Sequence, residues 1–183
     1  MLDLGAGAGF DCFLAARAVG PTGRVIGVDM TPEMVAKARA NALKGGYANV
    51  EFRLGEIEHL PVADASIDVI ISNCVINLVP DKARAFADAW RALRPGGRLA
   101  IADVVARGEL PAPVRENLAL HAGCISGAAA VGDVESMLRA AGFDRIRIAP
   151  KDESRSFIGT WSPDLPLDEL IVAATIEALK PAG

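Results

Sequence analysis

Aromatic residues supply only 5% of this 183-residue chain, and no block of lysines and arginines interleaves with them. The formal net charge is −4. Such a chain lacks the electrostatic footprint of a nucleic-acid binder. It also lacks any apolar run approaching the roughly 20 residues of a membrane-spanning helix, and it has no signal-peptide pattern. Cysteine is scarce and odd in number, three in all. That argues against a disulfide framework and for free thiols in a reducing compartment. No Cys-x-x-Cys knuckle is present, and His59 and His121 lack ligand spacing, so zinc is poorly supported. Internal repeats and low-complexity segments are missing too. The expectation is a cytoplasmic protein with neither nucleic acid nor membrane among its partners.

What the chain does have is apolar mass, 51% of its residues. Its length suits a single domain, residues 1–183, with a substantial core. Strands are expected at 1–4, 24–29, 50–54, 67–72, 98–103, 145–149 and 170–178. Helices are expected at 11–19, from Thr31 to about 44, from Asp81 to near 93, and at 134–141. Thr31 reads as an N-cap with Pro32 in the first turn, and Pro95-Gly96-Gly97 as a turn ahead of the fifth strand. This alternation predicts an α/β fold with a doubly wound, mostly parallel sheet and ligands at the carboxyl ends of its strands. The chain starts inside its first strand, so the sheet is read as N-terminally truncated. Residues 104–131, rich in alanine and glycine, break the alternation and read as a helical insertion over the crevice, a candidate lid.

The first ten or so residues carry the main signal. Apolar Leu2 and Leu4 flank Asp3 and run into alternating glycines, Gly5, Gly7 and Gly9, and a helix comes at once. A strand, a glycine turn and a helix make a nucleotide-type crevice. The dinucleotide spacing Gly-x-Gly-x-x-Gly fails, because Phe10 stands at its third glycine. Asp3 beside the turn disfavours a pyrophosphate and suits a cationic ligand such as a sulfonium. Asp29 ends the second strand, where a ribose-binding carboxylate would lie. Acid, alternating glycines and a second acid form the S-adenosylmethionine arrangement. Glu56 and the backbone of Ile57, after the third strand, fall near the adenine edge of such a cofactor, although acids in an exposed loop are common. On that cofactor reading Asn73, at the end of the fourth strand, lies beside the methyl-donating sulfur, where it can donate or accept hydrogen bonds.

Cys74 comes directly after Asn73. A lone cysteine beside a buried strand is usually an inert core residue. Cys124 changes the weighing, because it lies between glycines inside the candidate lid. The two thiols could meet over the methyl group, although spacing alone does not prove it. Cys12 opens the first helix, where the helix N-terminus can lower a thiol pKa, but buried packing is its expected role.

The glycine turn with Phe10-Asp11-Cys12, the stretch Val28 to Met34, the run Gly55 to Pro61, Ile71 to Leu78 and Gly123 to Ala128 together resemble the arsenite S-adenosylmethionine methyltransferases. The two cysteine-containing stretches are the specific part of the resemblance. It implies that Cys74 and Cys124 are catalytic and bind trivalent arsenic, a soft and thiophilic centre. It implies S-adenosylmethionine as cofactor, with Asp29 on the ribose and Met30 on the adenine. Asp3, Gly5, Ala6 and Gly7 then face the methionine moiety, with Asn73 nearby. It implies arsenic detoxification by a monomer served by a thiol reductant, glutathione or thioredoxin. Family members carry a further cysteine ahead of the glycine turn. The expectation is that this chain, starting after that point, handles an already methylated arsenical more readily than arsenite. Two alternatives stay open: methyl transfer to another small acceptor, such as a quinone ring or an amine, and a non-catalytic, truncated arsenical-binding remnant.

Overall fold

The computed structural model describes residues 1–162 and 164–183. Strands β1 (Leu2–Leu4), β2 (Val25–Asp29), β3 (Val50–Leu54), β4 (Ile67–Asn73), β5 (Leu93–Ala106), β6 (Asp144–Pro150) and β7 (Ile171–Leu179) form one sheet. Their order is β3-β2-β1-β4-β5-β7-β6. The first five pair in parallel, and β7 enters antiparallel between β5 and β6. The mostly parallel, doubly wound sheet is therefore as expected. Strand order reverses at β1, which pairs with β2 on one side and β4 on the other. Chain connections leave that point in opposite directions, so a crevice opens at the carboxyl ends of β1 and β4.

Side-chain alternation gives the sheet two buried faces. On one, α1 (Phe10–Val19) and α2 (Pro32–Gly45) pack Cys12, Ala15, Ala16, Val35 and Ala38 against Val25 and Phe52. On the other, α3 (Lys82–Ala92) and α6 (Val131–Ala141) pack Phe86, Ala89, Val134 and Leu138 against Leu4, Ile70, Leu99 and Ile176. Small residues on the first pair of helices bring them close to the strands, and the glycine turn between β1 and α1 stays tight.

Several local expectations change. Thr31 has extended backbone at the N-cap of α2 but makes no side-chain capping bond. Its N–H is instead held by Asp29. Asp81 does cap α3, accepting the Arg84 N–H at 2.9 Å. Pro95-Gly96-Gly97 does not separate β5 from α3. It bulges out of a strand that already pairs at Leu93 opposite Ile67 and resumes at Arg98 opposite Val69. Val104–Ala106, expected in the lid, belong to β5, because β7 supplies them with antiparallel partners from Ile171 to Ala173. Val131 opens α6 rather than closing the insertion.

The intervening segment carries two short helices, α4 (Ala112–Arg115) and α5 (Leu118–Ala122). Leu110, Val114, Ile125 and Ala128 bury a second apolar cluster against Val104, Ile158, Leu167 and Ile171. Its far wall comes from α7 (Arg155–Ile158) and α8 (Leu167–Leu170), which the sequence pattern does not predict. No helix among the described residues is long and apolar enough to cross a membrane.

Leu138 is fully buried between α6, α3 and the sheet. Leu138→Ala should destabilise the fold by about 2–5 kcal/mol, read as a lower denaturation midpoint at unchanged slope.

Candidate active site

The glycine turn leaves β1 and is anchored at once. The N–H groups of Gly5 and Ala6 both donate to the Val28 carbonyl, at 2.8 and 2.9 Å. Gly5 has φ +69°, and a Cβ there would lie 2.5–2.9 Å from the side chain of Val75. Glycine is therefore required both by conformation and by contact. Gly7 also has positive φ, yet a Cβ on it would meet nothing within 4 Å. That face of the turn is open.

Asp29 ties the turn to the next strand. One carboxylate oxygen accepts the Gly7 N–H at 2.9 Å, and the other accepts the Thr31 N–H at 2.9 Å. Each oxygen keeps a second lone pair for a further donor. Met30 and Phe10 stand beside this turn with over two-thirds of their surface exposed. Gly55 at the end of β3 donates to the Asp29 carbonyl. Glu56 is exposed, whereas the Ile57 side chain enters the core, so only the Ile57 backbone is left for the crevice.

Asp3 lies under the turn, 2% exposed. Burial pushes its carboxyl up to about 7, with the Asp11 and Asp29 charges adding and the Cys12 hydrogen bond opposing. The Cys12 thiol donates to Asp3 Oδ2 at 3.2 Å. Burial and the Asp3 charge push the Cys12 thiol far up. Any lowering from the helix N-terminus is overwhelmed, and Cys12 is a packed, hydrogen-bonded residue, as expected.

Beside β1, the end of β4 presents Asn73, exposed and reaching Asp11 at 3.4 Å. Cys74 is next, held by its N–H to the Ala102 carbonyl at 2.9 Å. Cys124 arrives from the segment after α5, its N–H on the His121 carbonyl. The Cys124 sulfur lies 2.8 Å from the Cys74 carbonyl oxygen. Two cysteines 50 positions apart are thus in contact. Cys74 is exposed and Cys124 is buried. Both have positive φ, 53° and 63°, and only Ala65 and Arg145 share this among the described non-glycine residues. Left-handed backbone costs such residues on the order of 1–3 kcal/mol, and it concentrates at functional sites.

Burial raises both thiol pKa values, that of Cys124 to about 11, with the Asp103 charge adding to each. No cluster of three or more metal-ligating side chains occurs among the described residues. The observed contact is between the Cys124 thiol and the Cys74 main chain, with both thiols favoured in the neutral form.

Sequence reasoning missed two residues. Asp103 and Asn77, each 4% exposed, hydrogen-bond beneath the cysteine loops. The available signal was a polar side chain inside an apolar run, Asp103 within 101–106 and Asn77 within 75–79.

A Rossmann-like sheet with this turn at its switch point defines a class of methyl-transferring domains. A family model described as a methyltransferase domain matches residues 1–142. The arsenite methyltransferase of Halobacterium salinarum is 60% identical over all of this chain and 46% of its own length. That of Aquipseudomonas alcaligenes is 46% identical over all of this chain and 55% of its own. The crystal structure of CrArsM, an arsenic (III) S-adenosylmethionine methyltransferase from Chlamydomonas reinhardtii, superposes with a TM-score of 0.82 at 38% identity. That match covers all of this chain and 64% of CrArsM. The chain belongs to the methyltransferase-domain family, with the Rossmann-like fold of the S-adenosylmethionine-dependent class, and along its whole length it is similar to the arsenite methyltransferases. It spans about half the length of the curated relatives named here.

Asp3 carries a stability consequence. Between pH 3.8 and about 7 the folded chain holds a proton on Asp3 that the unfolded chain has released. Stability therefore falls as pH rises through that window. Asp3→Asn should stabilise the ligand-free protein most at pH 8 and progressively less towards pH 4, as read by thermal unfolding across pH.

Proposed function

We propose that this chain moves the methyl group of S-adenosylmethionine to trivalent arsenic held by Cys74 and Cys124. The observation that carries the proposal is the Cys124 sulfur 2.8 Å from the Cys74 carbonyl, at the crevice of a methyltransferase domain. Names of relatives at 60% and 46% identity support the choice of acceptor.

The crevice fits the cofactor. Gly7 turns an open face to it, Asp29 retains unused lone pairs, and the Asp3 carboxyl lies under the turn. Asp29 would accept from the ribose hydroxyls, and the exposed Met30 would cover the adenine face. Glu56 and the Ile57 backbone would border the adenine edge. Asp3, with Gly5, Ala6 and Gly7, would bind the methionine end, where the ammonium group compensates the carboxylate. Asn73 would stand between the two half-sites. Bound S-adenosylmethionine supplies an electrophilic methyl, and thiol-bound arsenic(III) keeps the lone pair that receives it.

Arsenic is soft, so sulfur ligation offsets the cost of deprotonating two thiols whose pKa values are raised. The nucleophile carries no proton, so the site needs no general base. Cys74 and Cys124 would orient the arsenic, and the apolar cluster under the insertion would keep water away from it. The insertion, residues 107–130 on the observed strand limits, serves here as the lid of a single domain. A thiol reductant of the glutathione or thioredoxin class would return the product to the trivalent state. We take the chain to work as a monomer in the cytoplasm, where its three cysteines stay reduced.

Purified protein given methylarsenite and S-adenosylmethionine should yield dimethylated arsenic on speciation. Cys74→Ser and Cys124→Ser should each abolish that product while cofactor binding persists. Product formation without either thiol would point to a different acceptor chemistry, and cofactor-free arsenical binding to a non-catalytic remnant. Asp29→Ala should weaken S-adenosylmethionine binding by roughly 1.5–3 kcal/mol, measured by calorimetry, because the ribose loses a charged partner.

A further inference from the structure

Asp103 sits in β5 immediately after Ala102, whose carbonyl holds the Cys74 N–H. Its carboxylate is 4% exposed and fully engaged with the turn beneath Cys74. One oxygen accepts the Ile76 N–H at 3.0 Å. The other accepts the Asn77 side-chain N–H at 2.9 Å and the Val104 N–H at 2.8 Å. Asn77, also buried, donates its second amide hydrogen to the Val104 carbonyl at 2.7 Å. Asn77 is thereby fixed to β5 at two points.

The Cys124 loop rests on that fixed residue. Gly127, three positions beyond Cys124, abuts the Asn77 backbone. A Cβ on Gly127 would collide with the Asn77 carbonyl oxygen and lie 3.0 Å from its carbonyl carbon. Contact thus runs from Asp103 through Asn77 and Gly127 to the loop that presents Cys124.

We propose that Asp103 is a positioning residue for the thiol pair, holding the Ile76–Asn77 turn as the seat on which the Cys124 loop closes over Cys74. The inference rests on the two-thiol reading above and adds what sets the geometry between the thiols. Electrostatics does not explain this carboxylate. Its charge opposes thiolate formation at both cysteines. The cation that acts on it is Lys82, whose ammonium donates to the Val79 carbonyl at 3.1 Å. A group that disfavours the reactive form of both ligands, yet satisfies three N–H donors, is there for geometry.

The test uses the full chain with Cys12→Ser, leaving Cys74 and Cys124 as the thiols that report. Two probes are used. Dibromobimane becomes fluorescent when it bridges neighbouring thiols, and phenylarsine oxide chelates a thiol pair. Asp103→Asn places an NH₂ where one N–H donor needs an acceptor, so the turn loses at least one bond. Bridging fluorescence should fall, and phenylarsine oxide should bind about tenfold or more weakly. S-adenosylmethionine affinity should stay within about twofold, and single-site alkylation of Cys74 should not slow. A role through charge alone predicts the opposite, tighter chelation once the carboxylate is neutralised. Gly127→Ala attacks the same seat from the lid side and should reproduce the loss even if Asp103→Asn fails to fold. Unaltered bridging and chelation in the folded variants would overturn this inference alone. No bridging before Asp103 is changed would overturn the two-thiol reading and this inference with it.

Discussion

Strand order sets the ends of β1 and β4 side by side, and a packing contact joins the two loops that leave them. After β1 comes the glycine turn, and after β4 comes Cys74 with Val75. The Val75 side chain occupies the space that any side chain on Gly5 would need. The glycine turn and the Cys74 loop therefore share one van der Waals surface. Moving either loop by the width of a methyl group would displace the other. Alignment within a fraction of an ångström is what a reaction limited by positioning demands.

Around that contact the polar groups are arranged by the needs of buried backbone. Strand ends leave N–H groups that must find acceptors. Asp29 meets two of them at the turn, and Asp103 meets two main-chain N–H groups below the cysteines. These acids hold loops in shape by the same chemistry. They differ in what remains: Asp29 keeps lone pairs facing the crevice, while Asp103 is enclosed. Asp3 is the third case, buried with one thiol donor and hence driven towards neutrality. Strain has the same distribution, since two of the four left-handed non-glycine residues described are the cysteines themselves.

Much of this could be read from the chain. Continuous apolar runs such as Ile67–Ser72 are legible as buried parallel strands, because nothing else so short is apolar on both faces. The turn from Asp3 to Gly9 and the acid Asp29 were legible because local spacing encodes them. Other features depend on distant partners. Val104–Ala106 are strand because β7 lies beside them, and a run of alanine and valine carries no mark of that. Thr31 looks like a cap, yet the neighbouring Asp29 takes its N–H and no capping bond forms. The meeting of Cys74 and Cys124 was a possibility in sequence and a contact in the fold, because it depends on how a 107–130 excursion packs on α7 and α8. Asp103 gave only the signal of a polar residue inside an apolar run, and its partners lie 26 and 27 positions away.

The claim at the centre is that one arsenic atom bonds both thiols. Arsenic K-edge X-ray absorption on the protein loaded with methylarsenite counts those bonds directly. Two sulfur neighbours per arsenic, falling to one in Cys124→Ser, is the predicted result. A single sulfur neighbour in the unaltered protein would contradict the account.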